Sequence, residues 1–133
     1  MKFTDLTSQD RELVEKAKSL IAKRKAERSS VAAALRTKNN KVFTGINIDT
    51  DASAPCSMCA EYAAIGTMAT EGEEQIETVV ADSCNRDYAV IPPCGRCRQF
   101  IKEFGDPYVI VEIDHKLQKV KLSQLYPLPA ISE

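Results

Sequence analysis

Apolar residues recur at helical spacing near the start of the chain, at Leu13, Val14, Ala17, Leu20 and Ile21, with charged residues between them. Thr7 and Ser8 stand just ahead of this run as N-cap residues, so the pattern predicts an amphipathic helix with one face on a sheet. The period then changes. Ser30 to Thr37 and Lys41 to Ile48 read as strands, and the Asn39 and Asn40 between them tolerate the positive backbone angles of a tight antiparallel hairpin. From Ser57 to Thr70 the chain is rich in Ala and Met and free of Pro, and Gly72 ends what reads as a second helix. Ile76 to Ala81 predicts a short buried strand, Cys94 to Phe104 a third helix closed by Gly105, and Tyr108 to Ile113 another strand. Val120 to Leu122 predicts an edge strand, and Ser123 to Tyr126 a short helix before a proline-marked tail.

Composition bounds this picture. A chain of 133 residues has the length of one compact domain with a single core, taken as residues 1–133. The net charge is −1 and both signs are interspersed, which leaves no field to hold a nucleic-acid backbone and favours a small, weakly charged ligand. The basic cluster Lys23, Arg24, Lys25 and Arg28 falls near the end of the first helix, where the helix dipole favours it, and reads as a solvated helix end. Met1 to Thr7 lacks the apolar run of a signal peptide and no segment approaches membrane-spanning length, so the expectation is a cytoplasmic protein without a membrane partner.

The cysteines change the picture most. Five is an odd number, and in a cytosolic chain CxxC spacing points to metal or redox chemistry rather than disulfide staples. Cys94 and Cys97 stand three apart at a helix start, on one face, where the positive helix end favours thiolates. Cys59 opens the other helix, with Glu61 two residues beyond. Three thiolates converging on zinc leave its fourth position to water, and Glu61 then carries protons. Two rivals use the same residues. Cys56 with Cys59 and Cys94 with Cys97 could form a closed four-thiolate knot, which leaves Glu61 without a task. Cys94 and Cys97 alone could form a thioredoxin-like redox pair, which leaves Cys59 unexplained. Cys84 reads as a buried or free thiol, and His115, the only histidine, as an exposed turn residue.

Cys59-Ala60-Glu61 followed by Pro93-Cys94-Gly95-Arg96-Cys97 resembles the cytidine deaminase family. Val42 to Asp49 resembles the family's FxGxNxE segment, Val31-Ala32-Ala33-Ala34-Leu35 its VGAAL strand, and Arg98-Gln99 its CRQ continuation. The PCGRCRQ and FTGxN stretches look closer to its blasticidin S deaminase branch. The resemblance implies a three-layer α/β/α fold with a mixed sheet of about five strands, one zinc per chain on Cys59, Cys94 and Cys97, and Glu61 as the catalytic acid–base. It implies hydrolysis of cytidine and deoxycytidine to the uracil nucleosides and ammonia, in pyrimidine salvage, by a homotetramer. A cytosine-nucleoside antibiotic is the alternative substrate, and a zinc-binding interaction module the non-enzymatic alternative. Asn47 and Asp49 are implied to hold the sugar and the backbone N–H of Ala60 a base oxygen, while Phe43 is a core position with pocket contact as a second reading. Asp49 stands where the family commonly has Glu, and Tyr62 where many members have Arg. With that arginine missing, Arg96 is expected to offset the negative site by hydrogen bonds to thiolate sulfur.

Overall fold

In the predicted hairpin, β1 (Val31–Thr37) and β2 (Val42–Ile46) pair antiparallel, with Asn40 at φ 65° in the turn. The computed structural model describes residues 1–131. β1 also pairs antiparallel with β3 (Ile76–Ser83), whose last residues pair with β4 (Ala89–Ile91) and whose first residues run parallel to β5 (Tyr108–Ile113). β5 turns through Asp114 and His115, both at positive φ, into β6 (Lys116–Lys121). The order β2-β1-β3-β5-β6, with β4 beside β3, makes six strands rather than about five.

Helices cover both faces. α1 (Ser8–Arg24) lays Leu13, Val14 and Ala17 on Ala34, Val80 and Ile110. The opposite faces of the same strands offer Ala33, Leu35, Val79 and Val109 to α2 (Ala60–Thr70) and α3 (Gly95–Lys102), through Ala64, Ile65, Met68 and Ile101. This alternation, with period two, gives three α/β/α layers. α4 (Leu122–Leu125) ends the regular structure. Among the described residues no helix is long and apolar enough to cross a membrane.

Two strands differ from the sequence reading. β4 has three residues, too few to show a period. β6 begins at Lys116, not Val120, because Lys119 reads as a surface residue yet is 7% exposed. Its ammonium meets the wholly buried Asp10 carboxylate at 2.7 Å, and Arg36 meets the other oxygen at 3.1 Å. Asp10 also accepts the Thr7 N–H, which completes a capping box at the start of α1.

Burial alone would raise the Asp10 pKa, but the hydrogen bonds from Lys119, the Thr7 backbone and Arg36 outweigh it and hold the carboxyl below its ordinary value. A folded pKa lower than the unfolded one means that the ionised group contributes its full stability above about pH 4, and loses it as pH falls through the folded value. Asp10→Asn leaves two buried cations without a counter-ion, so a loss of about 3–5 kcal/mol is expected near neutral pH. Thermal melts compared from pH 7 downward check this: the gap between variant and wild type should close below pH 4. A pH-independent gap would disprove the assignment to charge.

Candidate active site

The starts of α2 and α3 meet at one end of the sheet, where β1 begins and β4 ends. Both helices open later than the sequence pattern indicates. Ser57 to Cys59 are extended, because Met58 bridges to Ile48 and the Ser57 hydroxyl accepts the Thr50 N–H, so Cys59 is the N-cap of α2 rather than part of its first turn. Cys94 is likewise the N-cap of α3, and Cys97 lies in that helix's first turn.

The sulfurs of Cys59, Cys94 and Cys97 lie within 4.8 Å of one another. Cys97 is buried at 1% exposure, Cys59 is half-buried and Cys94 is exposed. Burial pushes the Cys97 thiol far up, and the nearby Glu61 and Cys59 add to it. Burial also raises Cys59. For Cys94, burial is outweighed by the N–H groups of Cys97 and Arg96 at the helix start, and its thiol is held below the usual range. Three thiols and a carboxylate oppose one another's ionisation until a cation stands among them. A tetrahedral zinc shell places sulfurs about 3.8 Å apart, so this donor set fits the ion. Cys56 lies in a short 3-10 turn, exposed and outside the cluster, so among the described residues no fourth thiol closes the site. Cys56→Ser is therefore expected to leave zinc content and turnover unchanged, as metal analysis and an activity assay would show; loss of zinc would restore the four-thiolate knot.

Glu61 sits in the first turn of α2 at 6% exposure. Burial pushes its carboxyl above the ordinary range, and hydrogen bonds from its own N–H and from Cys97 only partly reverse this. A cavity of about 250 Å³ opens beside it, lined by the three cysteines, Glu61, Ala60, Arg96, Asn47 and Asp49. Ser57 and the apolar Val31, Met58, Ile91 and Pro92 complete its walls. These apolar positions were not identified from the sequence, although Val31 opens the family-like strand and Pro92 precedes the cysteine motif. A larger groove of about 600 Å³ runs along α1 past Leu20 and Thr44, but it holds neither thiol nor buried carboxylate.

Asn47 is 9% exposed, and its carboxamide oxygen accepts from the N–H groups of Ser30 and Val31 at 2.8 and 2.9 Å. Its Nδ2 donates to Asp49 Oδ1 at 3.3 Å, which leaves one amide hydrogen for a ligand. Of the basic cluster, Lys23 and Arg24 stand exposed in the last turn of α1, whereas Arg28, also exposed, lies beyond the helix end. It donates to the Asp49 carbonyl at 3.0 Å and pairs with Asp51 at 2.8 Å. Phe43 packs against the core on the α2 side and does not line the cavity, since it precedes Asn47 by about 13 Å of extended strand. Arg96 lies with its guanidinium carbon 4.3 Å from the Tyr62 ring centroid, and Tyr62 is stacked on Phe100 at 4.2 Å. Among the described residues the Arg96 guanidinium makes no hydrogen bond to a ligand sulfur; its backbone N–H reaches the Cys94 thiol, and its charge favours the Cys59 thiolate. Cys84 is half-buried, and its thiol points to Asn85 Oδ1 at 3.8 Å.

Residues 7–113 match the family model for the cytidine and deoxycytidylate deaminase zinc-binding region. The blasticidin-S deaminase of Bacillus cereus is 33% identical over 136 aligned positions, which cover 96% of each chain. A probable cytidine deaminase of Dictyostelium discoideum is 38% identical over 98 positions, covering 73% of this chain and 65% of that protein. Among solved structures, the cytidine deaminase of Mycobacterium leprae superposes with a TM-score of 0.77 at 25% identity, covering 92% of this chain and 100% of the other. The span of the family match, with relatives aligned along most of the chain, makes this protein a member of the cytidine and deoxycytidylate deaminase family of zinc-dependent enzymes.

Proposed function

We propose that the protein is a single-domain aminohydrolase acting on cytosine nucleosides, with cytidine and deoxycytidine as substrates. The observation that carries this reading is the convergence of three thiols and a buried glutamate on one small cavity. Cys59, Cys94 and Cys97 would hold the zinc, which when bound would supply the positive charge that makes water nucleophilic near neutral pH. Glu61 would take one proton from the attacking water and pass it to ring N3, then take the second from the new C4 hydroxyl and give it to the departing amine. The C4–O bond forms, the C4–N bond breaks, and ammonia leaves a uracil ring. The Ala60 N–H, at the start of α2, is a donor for the base oxygen. Asn47 and Asp49 take sugar hydroxyls, with Asn47 holding Asp49 in place. Arg96 offsets the negative charge of the thiolates. Phe43 supports the wall from the core and is not part of the sugar site.

The cavity's size and the near-zero net charge favour a free nucleoside over a polynucleotide strand. We further propose a cytoplasmic homotetramer working in pyrimidine salvage; a light-scattering mass equal to one chain would contradict the tetramer. A second substrate reading, a cytosine-nucleoside antibiotic, is favoured by the similarity to the Bacillus cereus protein along nearly the whole chain. An ultraviolet assay on zinc-quantified protein separates these, using cytidine, deoxycytidine, cytosine and blasticidin S. Turnover of the first two is the expected result. Turnover of blasticidin S alone would move the substrate to the second reading, and full zinc loading with no turnover on any of the four would leave a zinc-binding module.

A further inference from the structure

Of the three clustered thiols, Cys94 is the exposed one, so packing does not hold it in place. Arg98 does. Its backbone N–H donates to the Cys94 carbonyl at 2.9 Å, and its Nε donates to the Pro93 carbonyl at 2.8 Å. One residue thus engages both carbonyls that flank the Cys94 α-carbon. The same guanidinium extends Nη1 to the carbonyl of Leu125, the last residue of α4, at 2.9 Å. Gln99 grips the stretch that follows. Its Oε1 accepts from the Tyr126 hydroxyl at 2.7 Å and from the Ala130 N–H at 2.9 Å, while its Nε2 donates to the Ala130 carbonyl at 3.3 Å.

We propose that Arg98 is the positioning residue for Cys94, and that the stretch from Leu125 to Ala130, clasped by Gln99, is the fixed wall it is braced against. The chemistry suits arginine. Its planar fork presents donors in fixed directions to two carbonyls at once, which a lysine ammonium on a flexible stem does not reproduce. A ligand whose backbone is held in this way meets the metal in one geometry, and groups behind the ligands commonly tune metal affinity by about 10–100-fold. This inference rests on the reading of the three thiols as a zinc site.

The test uses the full chain as wild type, Arg98→Gln, Arg98→Lys and Gln99→Ala. Zinc affinity is measured by chelator competition, and the ligand field is read from the absorption bands of the cobalt(II)-loaded proteins, with melting of the metal-free proteins as the folding control. Arg98→Gln is expected to lower zinc affinity by about 10–100-fold and to change the cobalt bands. Arg98→Lys should do the same, and Gln99→Ala should shift both readings in that direction by less. If Arg98→Gln does not fold, the other two variants carry the test by the same readings. Folded Arg98 variants with wild-type affinity and wild-type cobalt bands overturn the proposal, even if their melting temperature has dropped. A wild-type protein that takes up no zinc would instead overturn the zinc reading itself.

Discussion

Glu61→Gln is expected to lower cytidine turnover by about 10²–10⁴-fold while zinc content stays at the wild-type level. Gln has nearly the shape of Glu and keeps the side chain in its buried position at the start of α2, so the metal site should assemble. What is lost is a group that can both accept and return a proton. Water can still enter the cavity, but its proton and that of the leaving amine have no carrier beside them. Metal analysis paired with steady-state kinetics makes the measurement, and a variant retaining a tenth or more of wild-type turnover would remove Glu61 from the role.

Gly45→Ala should damage both stability and activity, although residue 45 is not among those lining the cavity. A Cβ at Gly45 would stand 2.5 Å from the Ala64 nitrogen, 2.6 Å from the Ala63 Cβ and 2.9 Å from the Ala60 carbonyl oxygen. Two of these three atoms belong to the α2 backbone, so no flexible side chain can yield, and the helix has to move off the sheet. Overpacking of this kind costs about 1–3 kcal/mol. The same movement carries Cys59 and Glu61 away from Cys94 and Cys97, and a displacement near 1 Å can cost about 10²-fold in rate. Thermal melting and turnover together test this. Wild-type values for both would mean that α2 is free to slide, contrary to its packing on β2.

The cysteine spacing and the presence of two helices just beyond Cys59 and Cys94 could be read because they are local: each depends on residues within a few positions. The hairpin at Asn39 and Asn40 was legible for the same reason. What was hidden depends on distant partners. Lys119 looks polar until Asp10 is placed beside it, which is why most of β6 was missed. Ser57 to Cys59 looked helical because the pull of Ile48 on Met58 leaves no periodic mark. Phe43 was read as a core position with pocket contact as the second reading, and it packs against the core outside the residues that line the cavity. The Arg98 brace joins positions 27 residues apart, and no spacing rule reports it.

The ion group at Asp10 also bears on how the chain assembles. Asp10 lies 109 residues ahead of Lys119, and Thr4 bridges to the same lysine through the backbone. During synthesis the first helix therefore emerges with an acid whose main counter-charge does not yet exist, and it is expected to seat fully on the sheet only once β6 has left the ribosome. Contacts of such long sequence separation slow folding and leave apolar surface open meanwhile. The docking of α1 and the pairing of β6 are thus expected to complete each other, so a lesion in β6 should appear first as a helix α1 that fails to dock.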